Sequence, residues 1–344
     1  MSGRPLRSCV LRAHHRLLTV TFLLVAVVSA ACGSPQTPPA PGAGPEKTSI
    51  TVGTMPIPDV VAFYLAQSLG LFAREGFREV KVETIQGAGP AIPLLNNGSM
   101  DFAILNYVTA FAAQDKEIAD LRFVADAYQA VPNTFAVMAP ARSSAKTLAD
   151  LRGKTIAVAT FRSIGTLTLE VALRIHGLTS KDVHLVEMPL PNMPAALASG
   201  AIQAAWMTEP FITAAGHAGA VKLADMATGP TDAFPIAGWG VSAEFAAKNP
   251  RTVRAFQRAM AVGQQIAADN RTTVVRVIPG YTSIKKDIAK VITLGEFPRT
   301  LSSTRLQRVA DQMIEFGYLD KPLDVAPLLL PPATPAATST NGAS

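Results

Sequence analysis

Two nine-residue stretches, "LNNGSMDFA" at Leu95–Ala103 and "LASGAIQAA" at Leu197–Ala205, share one spacing, L-x-x-G-x-x-D/Q-x-A. Upstream of them stand matching pieces, "EGFREVKVE" ending at Glu83 and "HGLTSKDVHLVE" ending at Glu187. Each unit reads as a helix closed by glycine, a strand, a second helix closed by glycine and a further strand. Glycine suits the left-handed position that ends a helix. L-x-x-G is common by chance, but two matched blocks in the same order are not. A chain carrying this unit twice is expected to form two similar α/β lobes facing each other.

The flanking pattern agrees. Short apolar strand candidates fall at 50–54, 80–85, 102–105, 155–159, 183–187 and 204–207, as a buried, mainly parallel sheet requires. Helix candidates lie between them at 60–68, 90–96, 164–175 and 194–198. The C-terminal third reads as helical. Asn249-Pro250 supplies a cap and a first-turn proline, after which Phe256, Met260, Gly263 and Ala267 recur at helical spacing. Leu306, Val309, Ala310, Met313, Ile314 and Gly317 repeat the pattern, and both stripes are expected to face the core.

The N-terminal segment reads as an export signal. Arg4, Arg7, Arg12 and Arg16 precede an apolar run at 17–31, shorter than the ~20 residues a spanning helix needs. Cys32 follows "VSAA" in a setting that resembles a lipobox, although Ser29 stands where leucine is usual. "GSPQTPPAPGAGPEKTS" then reads as an extended tether, and "PPATPAATSTNGAS" as a low-complexity tail. The expected anatomy is a signal at 1–31, a lipidated Cys32 with its tether at 32–48, a folded region at 49–330 and a tail at 331–344. Cleavage by an ordinary signal peptidase, giving a secreted or periplasmic soluble protein, is the alternative.

Several function classes are disfavoured. The chain has two cysteines, and only Cys32 survives removal of the leader, so no internal disulfide or cysteine-based metal site is expected. His176, His184 and His217 lack zinc-ligand spacing, and no cofactor is expected. The 31 basic residues fall to 27 without the leader's four arginines, against 25 acidic ones. No basic cluster with interleaved aromatics implies nucleic acid. There is no G-x-S-x-G with a partnered histidine, so the chain reads as a non-enzyme.

"TFRSIGT" at Thr160–Thr166 lies between a strand and a helix and carries no P-loop or dinucleotide fingerprint. Such a turn offers backbone N–H groups and hydroxyls to a polar or anionic ligand.

The blocks "LAQSLGLFAREGF", "NNGSMDFAI", "DLRGKTIAV", "AALASGAIQAAWMTEPF" and "LQRVADQMIEFGYLDKPLDVAPLL" resemble, in order, substrate-binding proteins of bacterial ABC importers. The branch is the nitrate/sulfonate/taurine and thiamine-pyrimidine-precursor group, and the resemblance covers about 50–330. It implies a periplasmic-binding-protein-like fold of type 2, two α/β lobes joined by a two-crossing hinge. The crossings would fall near 130–134 and 233–238, with lobe 1 at 49–130 plus 240–330 and lobe 2 at 135–235. It also implies a monomer that hands a small solute to a permease with its ATPase. Gln203, standing for the usual aspartate, is expected to loosen a helix–strand turn.

Open α/β sheets bind ligands at the carboxyl ends of their strands. That rule nominates Pro56, Asp59, Gln86, Gly87, Asn106 and Tyr107 in lobe 1, and Thr160, Ser163, Gly165, Thr166, Asn192 and Glu209 in lobe 2. Trp239 is added as a stacking candidate. The competing structural roles are a helix cap for Asp59, packing for Tyr107 and an ion pair with Arg162 for Glu209. Arg162 and the helix N–H groups favour an anion, whereas Asp59 and Glu209 favour an amine or aminopyrimidine. Fungal pyrimidine synthases share the implied fold but resemble a type that needs a cysteine-rich motif, absent here. A lipid-anchored sensor of the same fold remains a rival.

Overall fold

The computed structural model describes residues 44–333. Its first part contains β1 (Ser49–Thr54), α1 (Val61–Ser68), α2 (Leu71–Arg74), β2 (Glu79–Thr84), α3 (Ala88–Asn96), β3 (Phe102–Asn106), α4 (Tyr107–Asp115) and β4 (Leu121–Gln129). The second contains β5 (Phe135–Pro140), β6 (Thr155–Val158), α5 (Ile164–Ile175), β7 (His184–Glu187), α6 (Met193–Ser199), β8 (Ala204–Thr208), α7 (Phe211–His217) and β9 (Ala220–Asp225). Then follow β10 (Pro235–Ser242), α8 (Ala243–Lys248), α9 (Pro250–Asp269), α10 (Arg271–Val277), α11 (Lys286–Val291) and α12 (Ser303–Glu315).

The strands form two five-stranded sheets, ordered β2-β1-β3-β10-β4 and β7-β6-β8-β5-β9. The orders are equivalent, with one antiparallel strand in each, β10 and β5. The antiparallel strand is in both cases the one that has just arrived from the other sheet. This is the periodic duplication seen in the sequence, now with its connections visible.

The register settles which edges meet. Gln129, the last residue of β4, pairs with Pro235, the first of β10. Phe135, the first of β5, pairs with Thr208, the last of β8, and Ala136 pairs with Asp225, the last of β9. Both connections, 130–134 and 226–234, therefore join the carboxyl edges of the two sheets. The second lies ahead of the expected 233–238, because Pro235–Gly238 already belong to β10. The apolar strands β4, β5, β9 and β10 were not singled out from the sequence.

Two details of the duplication are chemical. Asp101 accepts the N–H of Thr51 at 2.8 Å, and Gln203 accepts the N–H of Thr155, the equivalent residue of β6, at 3.1 Å. Gln203 thus keeps the bond its substitution was expected to loosen, since an amide oxygen accepts as a carboxylate does. Gly98 and Gly200, with φ of +74° and +81°, end the two equivalent helices in the left-handed conformation that penalises a Cβ.

Lobe 1 is closed by the C-terminal helices. α9 packs on α1 and β4, and Phe256 stacks on Phe102 with ring centroids 4.0 Å apart. Each such buried aromatic contributes roughly 1.5–3 kcal/mol. Lobe 2 has a satellite core of Ala136, Met138, Met193, Leu197 and Met207 on its far face. Glu46 and Lys47, expected in the tether, belong to the fold. The Glu46 carboxylate accepts the N–H groups of Arg251 and Thr252 at the start of α9, and Lys47 pairs with Asp101. An anion at a helix start satisfies N–H groups that have no intrahelical acceptor. The export signal and Cys32 lie outside the described residues, as does the tail from 334. Among the described residues no helix is long and apolar enough to cross a membrane.

Candidate functional site

The lobe 2 wall begins at the "TFRSIGT" turn. The Thr160 carbonyl accepts both the Ser163 hydroxyl, at 2.8 Å, and the Thr166 hydroxyl, at 2.7 Å. Both residues are buried, so neither offers its proton to a solute. Gly165 is required by packing rather than by a ligand: a Cβ there would sit 2.9 Å from the Trp206 ring. Trp206 in turn donates Nε1–H to Thr168 at 3.0 Å.

Arg162 holds a left-handed backbone, φ +52°. Its guanidinium donates to the carbonyls of Gly317 and Tyr318 at 3.0 and 2.9 Å and lies 4.7 Å from the Tyr318 ring centroid. Farther along α5, Arg174 pairs with Glu315 at 2.6 Å and covers the Phe316 ring. The turn that ends α12 is thereby clasped to the lobe 2 helix. An ion pair between Arg162 and Glu209 does not form.

Glu209 is instead buried and accepts from Thr213 twice, from its N–H at 3.1 Å and its hydroxyl at 2.9 Å. The backbone N–H of Thr293, in the segment after α11, lies nearby and favours its charged form. Burial raises its pKa, and these hydrogen bonds oppose the rise.

Asp59 provides the strongest anomaly on the lobe 1 side. It sits inside the single 3-10 turn Pro58–Val60, whose cap is Ile57, so it does not cap a helix. The residue is 5% exposed. Among the described residues no other residue donates to its carboxylate, and desolvation pushes its pKa up to about 7. Two tyrosines lie near it, Tyr128 and Tyr281, and a third, Tyr64, packs on Tyr281. Tyr281 carries a hydroxyl that is buried and has no hydrogen-bond partner among the described residues. Its ring stacks on Tyr64 at 4.0 Å, and Tyr64 shares a 3.0 Å hydrogen bond with Thr54 at the end of β1. Tyr128, near the end of β4, accepts the N–H of Gly295. Tyr128 is within Coulombic reach of both Asp59 and Glu209, which come from opposite lobes. Tyr128 thus stands near one carboxyl of each lobe, just ahead of the first crossing.

Two nominated aromatics are corrected. Trp239 is wholly buried against Phe63 and Phe256 in lobe 1, and Tyr107 is wholly buried beside Phe111 and Phe123. Tyr107 donates to Asp126 at 3.0 Å, a carboxyl also paired with Arg305. Neither ring has surface left for a solute. Asn106 caps α4 by accepting the N–H of Thr109 at 2.9 Å. Pro56, Gln86, Thr160 and Asn192 are exposed at the strand ends, and Gly87 precedes α3.

Tyr64, Tyr128, Tyr281 and Thr293 escaped the sequence reading. Tyr128 lies on an unrecognised strand, and Tyr281 and Thr293 lie in irregular segments without periodicity. Two cavities, of about 290 and 540 Å³, flank Pro298–Thr300, and neither has Asp59, Tyr281 or Glu209 in its wall. Their basic groups are engaged elsewhere, Arg299 with Asp269 and Arg305 with Asp126. Among the described residues no group of three His, Cys, Asp or Glu could hold a metal ion.

Residues 57–273 match the NMT1/THI5-like family, a span that contains Asp59, Glu209 and both crossings. The chain belongs to that family. Proteins of Brucella abortus and Brucella suis, named as candidate binding proteins, are 29% identical over 200 residues, covering 54% of this chain and 61% of theirs. The match thus spans less than two thirds of those relatives' length.

Solved structures similar to this NMT1/THI5-like chain include the alkanesulfonate-binding protein SsuA of Xanthomonas axonopodis pv. citri bound to MOPS. Its TM-score is 0.69 at 21% identity, over 83% of this chain and 99% of that one. The periplasmic nitrate-binding protein NrtA of Synechocystis PCC 6803 gives 0.66 at 16% identity, over 82% and 85%. The desulfurization enzyme DSZB gives 0.63 at 15% identity, over 83% and 97%. At these identities the likeness is one of fold, that of periplasmic binding proteins. The same fold therefore also carries an enzyme.

Proposed function

We propose that this chain is the extracytoplasmic solute-binding component of an ABC importer. A lipidated Cys32 holds it to the membrane as a monomer, and a permease with its ATPase receives its small polar organic solute. The observation that carries this reading is the register: both crossings join the carboxyl edges of the two sheets, so the edges face one another across a hinge. Rotation about two short crossings opens and closes such a cleft without disturbing either sheet. The Brucella relatives are named as candidate binding proteins, which supports capture rather than catalysis.

The anion reading, toward nitrate, a sulfonate or taurine, needs a free cation or free donors. The side chains of Arg162, Ser163 and Thr166 are engaged within the protein, which leaves an anion only the backbone N–H groups at the start of α5, whereas Asp59 and Glu209 are buried near the hinge. This favours the second reading, a thiamine pyrimidine precursor or related heteroaromatic amine.

Titration calorimetry against nitrate, taurine, an alkanesulfonate and an aminopyrimidine tests solute capture. Submicromolar binding of one class, with compaction in small-angle scattering, is the expected outcome. Binding of none, together with unimpaired solute uptake in a deletion strain, refutes it and leaves the sensor rival. Cys32→Ala should move the protein from the membrane fraction to the soluble one; equal partition of both forms refutes the anchor.

A further inference from the structure

Two buried polar groups have no partner from another residue among the described residues. Asp59 is 5% exposed and no other residue donates to its carboxylate, and the Tyr281 hydroxyl is fully buried without a partner. Buried polar atoms in folded proteins are nearly always hydrogen-bonded, and a carboxylate without a partner is among the most costly groups to bury. Each is within Coulombic reach of the other. A carboxylate and a hydroxyl close enough to feel each other's charge, beside the stacked Tyr64–Tyr281 pair, make a place for a donor group attached to a flat or apolar body.

We infer that Asp59 and Tyr281 together recognise a cationic nitrogen on the solute, an amine or amidine group whose N–H donates to the Asp59 carboxylate and the Tyr281 hydroxyl oxygen. The inference rests on the solute-capture reading above and specifies its charge class. A cation neutralises the buried carboxylate and supplies several donors, whereas an anion brought to the same point meets a like charge. The electron-rich tyrosine faces add a favourable field for the cation.

The inference also requires a pH dependence. The titratable neighbours of Asp59 are Tyr128 on β4, Tyr281 after Ile278–Gly280 and Tyr64 on α1, which stacks on Tyr281. Glu209 and Arg271 act on the far side through Tyr128. The tyrosine pKa values of Tyr128 and Tyr281 lie above the ordinary value, so these rings stay neutral through the physiological range. With Asp59 titrating at about 7, a cationic solute binds the ionised form and competes with the proton.

The test uses the purified protein with four probes of one body and three charges: benzylamine and benzamidine as cations, benzyl alcohol as neutral, benzenesulfonate as anion. The expected result is that a cation binds more tightly than the alcohol or the sulfonate. Its Kd should fall about tenfold from pH 6 to pH 8, as one ionisation near 7 requires. Asp59→Asn should weaken the cation at least tenfold and flatten the pH profile. Tyr281→Phe should weaken it a few-fold and leave the pH slope in place. Circular dichroism of both variants confirms that they fold, and the Tyr281→Phe arm stands by itself if Asp59→Asn does not.

Preferred binding of benzenesulfonate overturns the cation assignment while solute capture stands. Cation binding untouched by both substitutions moves recognition elsewhere and equally overturns it. If no probe binds, the assignment also fails, whereas solute capture is decided separately by the uptake assay.

Discussion

Replacing Asp59 by asparagine should stabilise the unliganded protein, and by an amount that depends on pH. The carboxyl has an ordinary pKa of 3.8 and one of about 7 in the fold. Its folded form therefore binds a proton that its unfolded form has already released between those values. Stability falls as pH rises wherever the folded state holds more protons. At about 1.4 kcal/mol for each pH unit, the loss begins near pH 4, grows to about 4 kcal/mol near pH 7 and is constant above.

Asparagine has nearly the same shape and no charge, so its stability lacks this component. Urea unfolding of both proteins at intervals from pH 4.5 to 8.5 measures the difference. The variant's advantage should widen by about 3 kcal/mol between pH 4.5 and 7, a midpoint shift of about 1 M at a slope of about 3 kcal/mol per molar. Glu209 and Asp126, also raised by burial, change both curves equally and cancel. Curves that run parallel across the whole range would show that Asp59 is solvated or already paired, and the reasoning would fail.

Arg162→Ala removes two charge-assisted bonds from α5 to Gly317 and Tyr318, and the radius of gyration of the unliganded protein should rise, as read by small-angle scattering. An unchanged radius would mean that the clasp does not hold the lobes. Gly165→Ala drives a Cβ to 2.9 Å from the Trp206 ring and should cost about 1–3 kcal/mol, lowering the melting temperature. Glu46→Ala leaves the N–H groups of Arg251 and Thr252 without their acceptor and should cost about 1 kcal/mol in denaturant unfolding.

Much of the α/β architecture could be read from the chain, because a buried parallel strand and a glycine-closed helix are local patterns. The repeat around Gly98 and Gly200 announced two lobes, and the equivalence of Asp101 and Gln203 extends it to a single hydrogen bond. Asp59 and Glu209 were also nominated, since a strand's carboxyl end is a position along the sequence. The partners of those residues were not legible. Whether Arg162 faced a solute, Glu209 or the carbonyls of Gly317 and Tyr318 depends on where α12 ends in space, 155 residues downstream. Trp239 and Tyr107 have the side chains of ligand-stacking residues, and only the packing of Phe63, Phe111, Phe123 and Phe256 around them removes both from the cleft. Tyr128 and Tyr281, which the proposal adds to the candidate site, lie on a strand and a turn without periodic signal. Periodicity and capping act over a few residues and are written in the sequence. Burial and partner choice act between segments far apart in the chain, so the unpartnered state of the Asp59 carboxylate was decided by the tertiary structure alone.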